Sequence, residues 1–241
     1  YYRSQGLNPW FFLPLSFSVP NLKLLKSEAT TCPAWRAVAH AYDLVARKMD
    51  PRVDHDQSQL NLWILKPTNG SGGEGISMAL ELDELEVGIT SAKSSTQGFV
   101  IQKYLEDPLL YHRRKFDLRV WAVCQSDSSS SLGLRVFAYR EGYARTSSEV
   151  FSLPKRQPKP SGGGPTTGRG EPPNKKQEEA AMQERMVHLT NYCMQVQSDN
   201  CGAFEEGNAI SFEDLDAACP DVSFRSTVLP KIYALISDAI L

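Results

Sequence analysis

The chain has 241 residues, of which 41% are hydrophobic and 22% charged, and its formal net charge is −2. This composition is typical of a folded protein with one large or two small domains, and it gives no general argument for binding nucleic acid or an anionic membrane surface. No apolar run reaches the length of a membrane span. Because of this and of the near-neutral charge, we expect neither a nucleic-acid nor a membrane partner.

Five scattered cysteines without a C-x-x-C pair predict free thiols in a reducing compartment. The apolar segment 8–22 is interrupted by three prolines and has no basic stretch before it, so a signal peptide is not expected. Both ends of the chain resemble cuts from a longer protein.

Residues 1–60 are interpreted as a lead-in from a partly missing N-terminal region, with one helix predicted at 32–49. From residue 61 onward the pattern is clearer. NLWILK, ISMALEL and GFVIQKYL predict strands, and LDELEVGI predicts a short helix.

The segment 115–124, KFDLRVWAVC, alternates strictly and predicts one strand with Lys115, Asp117 and Arg119 on the same face. LGLRVFAYREG is predicted to be its hairpin partner. Residues 154–179 are rich in Pro, Gly and Lys, and we interpret them as a disordered surface insertion. Two helices are predicted to begin near Ser211 and Ser226.

The loop NGSGGEG contains the pattern G-x-G-x-x-G between two predicted strands. A dinucleotide site requires a helix after the glycines, and a P-loop requires Gly-Lys-Ser/Thr, so neither fits. A glycine hairpin over phosphates remains open, because glycines let backbone N–H groups approach phosphate oxygens closely. A protein kinase would also need H-R-D and D-F-G motifs, which are absent. A flexible hairpin without a ligand is the alternative.

Basic residues recur around the predicted strands, although the chain is slightly acidic overall. Such a cluster suits a polyphosphate or a carboxylate, whereas a solvated outer face is the alternative. His188, Thr190 and Asn191 offer further donors and acceptors. Neither zinc-ligand spacing nor the spacing of a Cys–His catalytic pair supports a site around Cys193.

Several long motifs follow one another as in the tubulin–tyrosine ligase family: WILKPTNGSGGEGI, FVIQKYLEDPLLYHRRKFDLRVW, YREGYARTSSE, HLTNYCMQ and CGAFEEGN. The chain resembles this family over residues 61–153 and 186–241. The resemblance implies an ATP-grasp fold of the α/β (α+β) class with antiparallel sheets, incomplete at the C-terminus. It implies a central lobe at 61–110 and a truncated C-terminal lobe at 111–241.

The resemblance also implies roles for individual residues. Those that would hold ATP are Lys66, Gly70, Gly72, Gly73, Gly75, Gln102, Lys103, Leu105, Lys115 and Asp117. Those that would bind the acidic acceptor tail or form the nearby wall are Arg119, Arg140, His188, Leu189 and Thr190. Among these, Lys115, Arg119 and Arg140 would carry the catalysis.

The implied reaction is ATP-dependent addition of free tyrosine to the C-terminal glutamate of detyrosinated α-tubulin, through an acyl phosphate and with Mg²⁺. R-T-S-S-E and F-E-E-G-N favour tyrosine addition, and a glutamate or glycine ligase or a non-catalytic tubulin-binding relative are the alternatives. The family's metal ligands lie in a later segment, so we expect no metal site within this chain and expect the fragment alone to be inactive. Cytoplasm, microtubules or a cilium are the implied locations.

Overall fold

The computed structural model describes residues 13–22, 31–56, 60–91, 98–131, 133–155 and 175–240. These residues form two compact units. One consists of the described residues up to Pro108 together with 153–155, and the other of Leu109–Ser152 and 175–240. Within the described ranges, no helix is long and apolar enough to cross a membrane.

The first unit is a four-stranded antiparallel sheet with two helices. Its elements in chain order are β1 (Ser16–Pro20), α1 (Pro33–Ala46), β2 (Trp63–Pro67), β3 (Ser77–Ala79), α2 (Leu82–Ser91) and β4 (Gly98–Lys103). The strand order is β1-β4-β2-β3, so the two long strands β2 and β4 lie at the centre. The described part of the predicted lead-in thus supplies an edge strand and a helix to this unit.

Helix α1 forms because its apolar residues recur at helical spacing and a proline occupies its first turn. Trp35, Val38, Ala41 and Val45 line its buried face and belong to the core of the first unit. The fully buried Trp63 of β2 also lies in this core, so the start of β2 is anchored three residues before Lys66.

The second unit contains a four-stranded sheet of order β10-β9-β6-β5 and a separate hairpin, β7-β8. Its elements are β5 (Leu110–Tyr111), β6 (Arg114–Arg119), β7 (Ala122–Ser126), β8 (Leu134–Ala138), β9 (Tyr143–Val150), α3 (Lys175–His188), α4 (Tyr192–Gln195), a 3₁₀ turn (Glu206–Asn208), β10 (Ala209–Ser211), α5 (Phe212–Ala218), a π-helical turn (Phe224–Val228) and α6 (Leu229–Ile240). The strand pairings within the described parts of both units are antiparallel, which confirms the predicted α+β class.

The predicted strand 115–124 is two strands. β6 ends at Arg119, opposite Tyr143 at the start of β9, so the ladder has no further partner residue in β9. β7 begins at Ala122, opposite Ala138 of β8. The chain therefore changes sheets between 119 and 122, and only the second half of the segment has the predicted hairpin partner.

The predicted disordered insertion, 154–179, lies mostly outside the described residues. Its last five positions, 175–179, belong to helix α3 in the structure. The sequence KKQEEAAMQERM consists mainly of good helix formers, which explains why the helix begins before the predicted end of the insertion.

Candidate active site

In the second unit, strand β6 and the segment that ends helix α3 meet, although they lie 73 positions apart in the chain. The ammonium of Lys115 donates to the backbone oxygen of His188 at 3.0 Å. The hydroxyl of Thr190 donates to Oδ2 of Asp117 at 2.7 Å. Leu189 lies between them and is buried. Five of the residues singled out from the sequence are thus brought to one place.

The Asp117 carboxylate is held from a second side by Arg145 on the neighbouring strand. Nε of Arg145 donates to Oδ1 at 2.8 Å, and Nη2 donates to Oδ2 at 2.6 Å. This is a bidentate pair, the geometry in which a guanidinium fixes both the position and the plane of a carboxylate. The hydrogen bond with Asp117 raises the pKa of Arg145.

His188 is buried, with 3% of its surface exposed. Burial, and secondarily the positive charge of Lys115, lowers the pKa of His188 to about 4. Its ring meets that of Phe151 edge-on, with 5.6 Å between the ring centroids. The imidazole is therefore neutral near pH 7 and forms an uncharged wall beside Lys115.

Gln195 of α4 fixes the segment that carries His188 and Thr190. Its Nε2 donates to the backbone oxygens of Met186 and Leu189, and its Oε1 accepts from the backbone N–H of Ser148 at 2.6 Å. The side chain is fully buried. One amide thus ties the end of α3 to strand β9.

Arg119 and Arg140 differ from the residues above because both are exposed. In the part of the chain that the structure describes, neither guanidinium makes a hydrogen bond or an ion pair. Arg119 ends β6, and Arg140 lies between β8 and β9, where its backbone oxygen accepts from the Tyr233 hydroxyl at 3.4 Å. Both cations are therefore accessible to an acidic ligand.

A cavity of about 370 Å³ adjoins the Asp117 cluster. Arg145 and Thr190 form part of its wall, together with Tyr143, Tyr192 and Ala209. The same two side chains that hold Asp117 thus border a space large enough for a small ligand.

In the first unit, Lys66 and Gln102 meet across neighbouring strands. Nζ of Lys66 donates to Oε1 of Gln102 at 2.8 Å, and Nε2 of Gln102 donates to the Ser16 hydroxyl at 2.7 Å. Burial lowers the pKa of Lys66, and no carboxylate pairs with it in the described ranges. A half-buried ammonium with an uncharged partner favours an anionic ligand.

The loop that follows Lys66 needs its glycines. Gly72, Gly73 and Gly75 have φ of +62°, +92° and +72°, the left-handed region in which side chains are strained. A Cβ at Gly75 would also lie 2.8 Å from the Pro67 ring, and one at Gly70 would lie 3.0 Å from the Glu74 backbone oxygen. This bare backbone beside a cation fits a phosphate group.

Lys103 has a structural role. Its ammonium donates to Oε1 of Glu106 at 2.5 Å and to the backbone oxygens of Leu62 and Tyr104 at 3.1 Å. These three bonds use all three donors of the ammonium. Any contact of Lys103 with adenine would therefore come from its backbone or stem. Leu105 is 59% exposed and accessible.

Glu106 also binds the backbone of the first unit. Its carboxylate accepts from the N–H groups of Leu60 at 2.6 Å and Leu62 at 2.7 Å.

Within the described residues, no cluster of three or more His, Cys, Asp or Glu side chains is placed to hold a metal ion.

Arg145, Gln195 and Glu106 were not predicted as part of the site. Arg145 lies in the R-T-S-S-E motif, but no role for this arginine was predicted. Its partner is 28 positions away, and no local pattern predicts such a cross-strand pair. Alternation along YARTSSE could only have placed Arg145 on the same face as Tyr143.

The profile of the tubulin-tyrosine ligase family matches residues 18–240. Tubulin glycylase 3B of Tetrahymena thermophila is 35% identical over 195 residues, which cover 79% of this chain and 14% of that protein. Tubulin monoglycylase TTLL3 of Mus musculus is 36% identical over 105 residues, covering 43% of this chain and 11% of the relative.

The probable alpha-tubulin polyglutamylase Ttll1 of Tetrahymena thermophila is 29% identical over 144 residues, covering 57% of this chain and 28% of the relative. The chain therefore spans less than a third of the length of each of these three proteins. The family profile, in contrast, matches nearly the whole chain. This chain belongs to the tubulin-tyrosine ligase family.

Proposed function

We propose that the protein containing this chain is an ATP-dependent ligase that joins the amine of a free amino acid to a carboxylate of tubulin. The observation that carries the proposal is the meeting of Lys115 and Asp117 with His188, Leu189 and Thr190 in one cluster. Membership of the tubulin-tyrosine ligase family supports tubulin as the protein that is modified.

Each unit contains residues that the family resemblance relates to ATP. Lys66, Gln102 and the glycine loop supply a cation and bare backbone for phosphates in the first unit. Lys115 supplies another cation in the second unit, and Asp117 supplies an acceptor for a hydroxyl. Mg²⁺ would enter with the nucleotide.

The acceptor carboxylate would attack the γ-phosphorus of ATP and release ADP. The amino acid's nitrogen would then displace phosphate and lose a proton, which leaves an amide. The residues of this chain would position the reactants and neutralise charge. Arg119 and Arg140 are accessible cations suited to the acidic tail of tubulin.

Glycine is the amino acid that the relatives favour, because two of the three described above are named glycylases. Tyrosine remains the second candidate on the strength of the R-T-S-S-E and F-E-E-G-N motifs. Glutamate is the third, because the remaining relative is named a probable polyglutamylase.

The test is a competition assay with the full-length protein, tubulin, ATP and Mg²⁺, in which glycine, tyrosine and glutamate are each labelled in turn. We expect ATP-dependent and tubulin-dependent incorporation of one amino acid, with glycine ahead of tyrosine. Exclusive incorporation of tyrosine would reverse the order of the candidates. ATP binding without incorporation of any amino acid would contradict the ligase and favour a non-catalytic tubulin-binding protein.

Variants of the two exposed arginines test the role of this chain. Arg119→Ala or Arg140→Ala should reduce incorporation on the order of a hundredfold or more, while ATP binding survives. Near-normal turnover in both variants would contradict the assignment. The exposed Arg135 on strand β8 offers a matched control, since Arg135→Ala removes a cation that pairs with Asp127 at the separate β7-β8 hairpin.

The protein would act where tubulin is present, which means the cytoplasm, microtubules or a cilium. Fluorescence microscopy of the tagged full-length protein against a tubulin stain tests this location. Absence of any overlap with tubulin structures would contradict it.

A further inference from the structure

The F-E-E-G-N segment, 204–208, is held by the buried arginine that begins strand β6. Nη1 of Arg114 donates to Oε2 of Glu205 at 2.9 Å, and Nη2 donates to Oε1. Nη1 also donates to the backbone oxygen of Ser147 on strand β9 at 3.1 Å. The ring centroid of Phe204 lies 4.4 Å from Cζ of the guanidinium. Only 2% of the Arg114 surface is exposed, so this bidentate pair is shielded from solvent.

The other end of the segment is fixed by Asn208. Its Nδ2 donates to the backbone oxygen of Thr146 at 3.1 Å and to the Ser148 hydroxyl at 2.9 Å. The Thr146 hydroxyl in turn donates to Oε2 of Glu205 at 3.0 Å. Two side chains three positions apart therefore tie the segment to strand β9.

The segment held in this way forms part of the wall of the cavity beside the Asp117 cluster. Gly207, Asn208 and Ala209 line this cavity of about 370 Å³. Gly207 and Asn208 have φ of +62° and +53°. A positive φ strains a residue that has a side chain, and it persists only where the surroundings fix it. The shape of this wall therefore depends on the ties at Glu205 and Asn208.

Stability alone gives little reason for a charged pair at this place. Removing an arginine and a carboxylate from water costs much of the free energy that their attraction returns, and well-packed apolar residues often stabilise a fold as well or better. A guanidinium–carboxylate fork instead fixes both the distance and the plane of its two groups. What the Arg114–Glu205 pair adds to apolar packing is a defined position of the turn.

We propose that Arg114 and Glu205 are positioning residues, which fix the turn 206–208 as a wall of the cavity and thereby set how well each free amino acid fits. The inference rests on the proposed function, because it requires a reactant of the ligase to enter the cavity. The free amino acid is the smallest of the three reactants and the one that suits this volume. Neither residue touches the reactant, and both act through the turn.

The experiment measures kcat and KM for labelled glycine, tyrosine and glutamate with the full-length protein, and the ATP dissociation constant by calorimetric titration. Glu205→Gln should lower kcat/KM for the preferred amino acid by about 10- to 100-fold, mainly through KM, because a displaced wall misplaces the reactant. The ratio of kcat/KM between amino acids should change by about tenfold or more, since a pocket discriminates by the fit of its walls. The ATP dissociation constant should stay within about twofold of the wild-type value.

A second variant replaces both charges, because Glu205→Gln leaves a buried arginine without its counter-charge. Arg114→Met combined with Glu205→Leu has no unpaired charge, so it should remain folded in thermal unfolding and still show the changed preference. Arg114→Lys should not retain the wild-type preference, since a point charge does not reproduce the fork. Arg52→Met is the matched control: it breaks a bidentate arginine–aspartate pair in the first unit, and it should leave the preference unchanged.

Unchanged ratios between the amino acids in both Glu205→Gln and the double variant would overturn the inference and leave the ligase standing. An ATP dissociation constant that rises as much as the KM for the amino acid would also overturn it, because the effect would not be confined to the cavity. So would a rise confined to the KM for tubulin, since the cavity would then hold the acceptor. If the wild-type protein incorporates no amino acid, the proposed function is overturned and this inference with it.

Discussion

His188 should make the second unit sensitive to acid. Its pKa is about 4 in the folded chain, against an ordinary value of 6.5, because the ring is buried and lies near Lys115. An unfolded chain therefore takes up a proton on this histidine as the pH falls below 6.5, whereas the folded chain does so only near pH 4. Over that range, protonation favours the unfolded state, and the free energy of unfolding decreases as the pH falls.

The size of the effect follows from the two pKa values. At about 1.4 kcal/mol per pH unit, the gap between 6.5 and about 4 corresponds to about 3 kcal/mol in total. Roughly 2 kcal/mol of this should be lost between pH 7 and pH 5. That loss is a large fraction of the stability of a typical domain.

The assay is urea unfolding followed by circular dichroism at pH 7 and pH 5. His188→Asn removes the titrating ring, so this variant should lose about 2 kcal/mol less than the wild type between the two pH values. Comparing the losses cancels the contribution of all other titrating groups. His112→Asn, at an exposed histidine of the same unit, should behave like the wild type. Equal losses in the wild type and His188→Asn would refute the reasoning.

Three further substitutions have defined outcomes. Glu106→Leu should cost about 3–5 kcal/mol in urea unfolding, because it leaves the buried Lys103 ammonium without a counter-charge; a smaller loss than 1 kcal/mol would contradict this. Gly75→Ala should weaken ATP binding about tenfold or more, whereas Gly133→Ala, which has a similar positive φ but nothing within 4 Å, should leave ATP binding unchanged. Gln195→Ala should cost about 1–3 kcal/mol of unfolding free energy, because it removes the partners of three buried backbone groups, and an unchanged urea midpoint would count against that role.

The first unit was largely predictable because its elements are local. The strands around the glycine loop are short apolar runs separated by turn residues, and they appear as β2, β3 and β4. Lys66 was placed correctly at the end of a strand before the loop. Its contact with Gln102 depends on β2 pairing with β4, which alternation along a single strand does not predict.

The second unit shows where alternation fails. A chain that passes from one sheet to another keeps the alternation of its side chains between two faces. The change of sheet between Arg119 and Ala122 is therefore not visible in the sequence, which has no Gly or Pro there. The Asp117–Arg145 pair likewise depends on the register of two strands. Family motifs indicated Asp117 and Thr190, but their direct hydrogen bond is a product of tertiary packing.

The pair of Lys103 and Glu106 has a consequence for evolution. Because each charge is buried and neutralises the other, a substitution at one position is tolerated only when the other changes with it. Across related chains, positions 103 and 106 should covary, with oppositely charged residues in most and two apolar residues in the others. Glu106 also holds two backbone N–H groups, so an apolar replacement there should come with a changed turn before β2.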